Sequence, residues 1–157
     1  MSTQPDPMDD ETFLKQFESG VFPFNQWRHD AHIKVAYLYL RRYPLKTAMD
    51  KIRAGIKAYN AANNVPEGPD RGYHETTTMA WMGLVHLTLC EYGPCESAQV
   101  FYERNPQLSQ KKVLRLFYSR ELFMSPRAKT EFVEPDLGPL RNRGGPAAGR
   151  PEANFEL

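Results

Sequence analysis

The fold is decided by one stretch of the chain, LKTAMDKIRAGIKAYNAAN, which occupies residues 45–63. Its apolar side chains recur every three or four positions, so at 100° per residue they share one face of an α-helix. These residues are Leu45, Ala48, Met49, Ile52, Gly55, Ile56 and Tyr59. The stretch therefore predicts an amphipathic helix. Gly55 costs about 1 kcal/mol of helix propensity, and we expect another helix to approach closely at that position.

The same spacing recurs along most of the chain, whereas no segment shows a convincing strand alternation. The predicted helices lie at about 9–19, 29–43, 45–63, 73–91, 94–104 and 109–118, with a weak helical turn at 126–132. The sequence thus predicts an all-α fold, a compact helical bundle of about five to six helices, in a single domain at 1–134. Residues 135–157 are rich in Pro, Gly and Arg and predict a flexible tail.

Composition narrows the possible partners. Twenty basic and nineteen acidic residues leave a net charge of +1, which gives no field that would favour nucleic acid. No apolar run is long enough to span a bilayer, so no membrane partner is expected. Cys90 and Cys95 match no zinc or redox motif, and the start of the chain is polar. We therefore expect free thiols and a cytoplasmic location.

The candidate site consists of His29, His32, His74 and Glu75. The two members of each pair are close in sequence, and each pair opens a predicted helix, with one further helix between them. In an up-down-up arrangement those two helices start at the same end of the bundle, which would bring the pairs together. Imidazole and carboxylate groups are ligands for divalent metals. The sequence therefore predicts a metal site made by these four residues.

The assignment of the fourth ligand leaves an alternative open. Glu75 can complete the coordination shell or act as the general base of a catalytic centre. A ligand set of three imidazoles and one carboxylate suits Fe, Zn, Ni or Mn, and ligand softness does not choose among these divalent ions. The interpretation is a small metalloprotein, more an enzyme than a store, that acts on a small polar or anionic substrate.

Four further residues flank the two pairs and are candidates for substrate binding: Arg28, Arg71, Tyr73 and Thr78. Two guanidinium groups near two helix starts would favour an anionic substrate. The basic stretch 104–120 is interpreted differently, as the solvated face of an ordinary amphipathic helix.

A second hypothesis needs no metal. Histidines on apolar helix faces are often structural, donating to a backbone carbonyl, and a glutamate in a first turn is a common signal for the start of a helix. In that case the chain is a helical interaction or accessory subunit, and the tail at 135–157 contacts a protein partner. The number of protomers is not encoded in any pattern that we identify.

Overall fold

The α-helices form around the apolar stripes of the sequence. The computed structural model describes residues 8–140, and within that range it contains no β-strand. Its α-helices are α1 (Asp10–Glu18), α2 (His29–Arg42), α3 (Leu45–Ala62), α4 (Glu75–Tyr92), α5 (Ala98–Arg104), α6 (Arg120–Phe123) and α7 (Pro126–Thr130). Short 3-10 helices lie at Phe24–Gln26, Pro106–Ser109 and Lys111–Leu116. The predicted all-α class is confirmed.

The four longest helices begin and end within two residues of their predicted limits, whereas the later ones differ more. α5 begins at Ala98 and not at Pro94, because the Ser97 hydroxyl caps the helix by accepting from the Val100 amide at 3.1 Å. The helix predicted at 109–118 is a 3-10 helix. Gln110, with φ −89° and ψ 93°, leaves the helical region and separates it from the preceding turn. α6 has no counterpart among the predicted helices.

Helices α2, α3 and α4 follow the predicted up-down-up course. Tyr59, near the end of α3, contacts Trp27, just before the start of α2, with ring centroids 4.8 Å apart. His29 at the start of α2 lies edge-on to Trp81 in the first half of α4, at 4.6 Å. The beginnings of α2 and α4 therefore lie side by side, as the sequence predicts. Among the described residues, no helix combines the length and apolar character needed to cross a bilayer.

An aromatic cluster joins α1, α3 and the loop before α2. Phe17 is 1% exposed and stacks on Trp27 at 4.9 Å and on Tyr59 at 5.6 Å. The Tyr59 hydroxyl donates to the Phe22 carbonyl at 2.6 Å. Gly55 faces this cluster, and a Cβ atom there would lie 2.9 Å from Cε2 of Phe17. The close approach expected at Gly55 is confirmed, and the group that approaches is the Phe17 ring.

The last described segment, 133–140, lies against the domain. The Leu137 amide donates to the Phe117 carbonyl at 2.9 Å, and Asp136 accepts from the Ser119 amide at 2.8 Å. Leu140 is 1% exposed. The predicted boundary at 134/135 stays a prediction, although six residues beyond it the chain still contributes to the core. The rest of the predicted flexible tail lies outside the described residues.

Candidate ligand-binding pocket

The side chain of His74 forms hydrogen bonds with the protein through both ring nitrogens. His74 is the N-cap of α4, and its Nδ1 accepts from the Thr77 amide at 3.0 Å. Its Nε2 donates to the Phe123 carbonyl at 3.2 Å, and its ring stacks on the Phe123 ring. Both ring nitrogens are therefore used. Burial lowers the pKa of His74, so the imidazole is neutral at pH 7.

Glu75 forms an ion pair instead of a ligand set. The Glu75 side chain is 11% exposed, and its carboxylate accepts from Arg53 Nε at 2.9 Å and from Arg53 Nη2 at 2.8 Å. The Tyr73 hydroxyl donates to the same carboxylate at 2.6 Å. Burial by itself would raise the pKa of Glu75, but the hydrogen bonds from Arg53 and Tyr73 outweigh it and hold that pKa below its usual value. Glu75 is thus ionised and fully hydrogen-bonded.

The predicted metal site at His29, His32, His74 and Glu75 is wrong. Within residues 8–140, no group of three or more His, Cys, Asp or Glu side chains is placed so that it could hold an ion. The physical reason is that α4 begins after His74, so His74 and Glu75 enter separate hydrogen-bond networks. The metalloprotein interpretation falls with the site. The choice of Fe, Zn, Ni or Mn as cofactor and the catalytic role of Glu75 are untested.

The structure does bring His29 and His32 together. His29 Nε2 donates to the Leu108 carbonyl at 2.7 Å, and His32 Nδ1 donates to the Arg28 carbonyl at 2.8 Å. Burial lowers the pKa of His29, and it lowers the pKa of His32 to about 4. Both imidazoles are therefore neutral at pH 7.

These two histidines line a pocket of about 870 Å³, which opens between the starts of α2 and α4 and the segment 111–124. Most of its wall is apolar or aromatic. The aromatic side chains are Trp27, His29, His32, Trp81, Tyr118 and Phe123. Leu114, Met124 and Leu137 complete the apolar part, and the last two are each 58% exposed. A volume of this size is typical of small-molecule sites, which span roughly 300–1,000 Å³.

The charged residues around this pocket all have the same sign. They are Arg28, Lys111, Lys112, Arg115 and Arg120, and each is exposed. No carboxylate contributes to the part of the wall that the structure describes. Over the same residues, 8–140, none of these five cations takes part in a salt bridge. An apolar cavity is thus bordered by cationic side chains that form no salt bridge within the described domain.

A second, smaller cavity of about 540 Å³ has a different character. It is lined by Asp10 and Asp30 as well as by Arg28 and Lys34. Lys34 pairs with Asp30 at 3.8 Å, and Asp10 accepts from the Ala98 amide. This cavity is smaller and carries acidic side chains beside its basic ones, so the first pocket is the better candidate site for an anion.

Of the four residues predicted to bind substrate, one lines the pocket and three do not. Arg28 lines the pocket, whereas Arg71, Tyr73 and Thr78 do not. Tyr73 is buried and donates to Glu75, and Arg71 lies in a turn where its backbone pairs with Gly68. Their roles in binding stay predictions.

One wall of the pocket is not predicted from the sequence. The pattern predicts a solvated helical face at Lys111, Arg115 and Arg120, but in the structure these residues line the same cavity as His29 and His32. A signal was present in the basic residues interleaved with Leu114 and Tyr118, which supply both the charge and the apolar wall.

Comparison of the chain with protein-family models, with curated proteins and with solved structures finds no match in any of the three. Function is therefore inferred from the geometry of the pocket.

The protonation of His32 gives a direct check of that geometry. We expect its imidazole to titrate near pH 4 in the folded protein, against about 6.5 in an unfolded chain. Because the unfolded chain then binds the proton more tightly, this residue should make the fold less stable as pH falls from about 6.5 to about 4. Two-dimensional NMR of the imidazole nitrogens measures the pKa. Titration of His32 near pH 6.5 would contradict its half-buried position against the Trp27 ring.

Proposed function

We propose that this protein binds a small amphipathic anion. The apolar body of the ligand lies in the pocket, and its anionic group lies among the cations of the rim, which are Arg28, Lys111, Lys112, Arg115 and Arg120. The observation that carries the proposal is the combination of an apolar cavity of about 870 Å³ with five exposed cations and, in the described domain, no lining carboxylate. Like charges gathered around a cavity repel each other, and an anionic ligand relieves that repulsion.

The walls favour a ligand with an aromatic or otherwise flat body. Trp27 packs against His32 in a tilted arrangement with ring centroids 4.0 Å apart, and His29 and Trp81 form a T-shaped pair. Phe17 and Tyr59 hold Trp27 from behind, so this wall is fixed before a ligand arrives. A preformed aromatic surface binds a rigid ring with little loss of conformational entropy.

The rim supplies charge at neutral pH without the histidines. Since His29 and His32 are neutral there, the positive potential comes from the arginines and lysines alone. Arg28 is steadied by a hydrogen bond from its Nε to the Asn25 carbonyl at 3.2 Å. Guanidinium groups bind carboxylate, sulfonate or phosphate oxygens through paired hydrogen bonds. The proposed ligand class is therefore an aromatic or aliphatic acid.

Anilinonaphthalene sulfonate is a suitable probe, because it joins an aromatic body to one anionic group. Both tryptophans of the chain, Trp27 and Trp81, line the pocket, so energy transfer from tryptophan to the bound probe reports on this cavity. We expect saturable transfer with wild-type protein. The double variant Arg115→Gln/Arg120→Gln should weaken binding about tenfold, as expected for the loss of two charge-assisted contacts near water.

The matched control is Arg41→Gln/Arg104→Gln, which removes two exposed arginines that do not line the pocket. It should bind the probe as the wild type does. Phenylnaphthylamine, the uncharged relative of the probe, should bind both double variants equally. If the two double variants bind the sulfonate with the same affinity, or if wild type shows no saturable transfer, the proposal is wrong.

The other functional expectations remain predictions. They are an enzymatic activity, a cytoplasmic location and a protein partner for the tail at 135–157, and no contact of the described residues favours one of them over another.

A further inference from the structure

One hydrogen-bond acceptor on the pocket wall has no protein donor. Because His32 donates its Nδ1 proton to the Arg28 carbonyl, the neutral ring keeps a lone pair on Nε2. No donor in the described domain meets this nitrogen. It is also not sealed in the core, since every fully buried side-chain nitrogen and oxygen of the described residues has a hydrogen-bond partner. Nε2 therefore keeps solvent access, and His32 is one of the residues that line the cavity.

The position of this acceptor is fixed by its surroundings. The His32 ring packs against Trp27 with an interplanar angle of 35°, and the hydrogen bond to Arg28 one turn earlier prevents the ring from flipping. Trp27 is itself stacked on Phe17. A ligand that covers Nε2 must either offer it a donor or leave the nitrogen without a partner, which is unfavourable.

We infer that the ligand of this pocket is a phenolic acid, or an equivalent aromatic acid with one ring-borne donor, whose hydroxyl donates to His32 Nε2. The inference rests on the proposed function and specifies its ligand class. Three features of the pocket select the three parts of such a molecule. The cations at the pocket entrance bind the acid group, the tryptophan-lined wall contacts the ring, and the imidazole of His32 accepts a hydrogen bond from the hydroxyl. Sites built to accept from a ligand hydroxyl discriminate strongly against analogues that lack it.

The test compares three arylpropanoates that differ at one position of the ring. They are para-hydroxyphenylpropanoate, para-methoxyphenylpropanoate and phenylpropanoate, and each is used to displace bound anilinonaphthalene sulfonate from the full chain. The hydroxyl compound should displace the probe at about a tenfold lower concentration than the other two, as expected when one hydrogen bond is made and one unpaired acceptor is avoided. The preference should disappear in His32→Leu and persist in His86→Leu, because His86 does not line the pocket.

A second measurement does not depend on the folding of a variant. In wild-type protein with labelled imidazoles, the Nε2 resonance of His32 should shift when the hydroxyl compound binds and stay in place when phenylpropanoate binds. The spectrum also resolves His29, whose ring donates to Leu108. A shift at His29 and none at His32 would overturn the inference.

The outcomes separate the two proposals. Absence of bound sulfonate in wild type means that the proposed function itself fails, and the inference fails with it. If the sulfonate binds and the three arylpropanoates compete equally, or none competes, the pocket binds anions but the phenolic class is wrong. A hydroxyl preference that survives in His32→Leu also overturns the role of Nε2.

Discussion

Replacing Arg53 with Met is expected to lower the free energy of unfolding by about 3 kcal/mol, the cost of leaving a buried carboxylate without its partner. Arg53 contacts both oxygens of Glu75, and the Glu75 side chain is only 11% exposed. Without the guanidinium, the Tyr73 hydroxyl would be the one remaining donor among the described residues that hydrogen-bond to this carboxylate. Urea denaturation of variant and wild type at pH 7 measures the difference.

The control for this prediction is Arg42→Met. Arg42 pairs with Glu11 at the surface, where the Glu11 side chain is 67% exposed, so this variant should lose less than about 1 kcal/mol. A similar small loss in Arg53→Met would mean that Glu75 is solvated and that the network around it contributes little to stability.

Replacing Phe17 with Ala is expected to lower the free energy of unfolding by about 4 kcal/mol, within the range for a phenylalanine removed from a core. The ring is 1% exposed and stacks on both Trp27 and Tyr59, and it also lies close to Gly55. The cavity left behind cannot close easily, because its neighbours are held by their own stacking contacts. Thermal and urea denaturation give the size of the loss.

Phe24→Ala is the matched control, because Phe24 also stacks on Tyr59 but is 52% exposed. It should lose under about 1 kcal/mol. Since Trp27 lies between Phe17 and the pocket, Phe17→Ala should also weaken binding of anilinonaphthalene sulfonate, whereas Phe24→Ala should not. Equal losses of stability in the two variants would contradict the central position of Phe17.

The helices could be predicted from sequence because their signals are local. The stripe at 45–63 needs only the spacing of its own residues, and the close contact at Gly55 follows from a glycine on an apolar face. The adjacency of the starts of α2 and α4 also followed, since the tight turn between α2 and α3 reverses the chain and consecutive helices usually pack side by side.

The site could not be predicted because its decisive contacts are distant in sequence. His29 donates to Leu108 and His74 to Phe123, and no residue near either histidine encodes those carbonyls. The same holds for Glu75, whose partner Arg53 lies on the polar side of the helical stripe that the sequence identifies. The histidines and Glu75 indicated a functional site at the end of the bundle where the pocket is found. In the structure, however, their polar groups form hydrogen bonds within the protein, and His29 and His32 also line an open pocket.

The attachment of segment 133–140 has a consequence for the order in which the protein matures. Leu137 forms part of the pocket wall, and the Leu137 amide is bonded to Phe117, so the cavity is incomplete until synthesis has passed this residue. The helices α1 to α4 can pack earlier, since their mutual contacts lie within the preceding residues. A ligand stabilises only the species that binds it. Ligand present during synthesis therefore favours finished chains and gives no help to nascent ones.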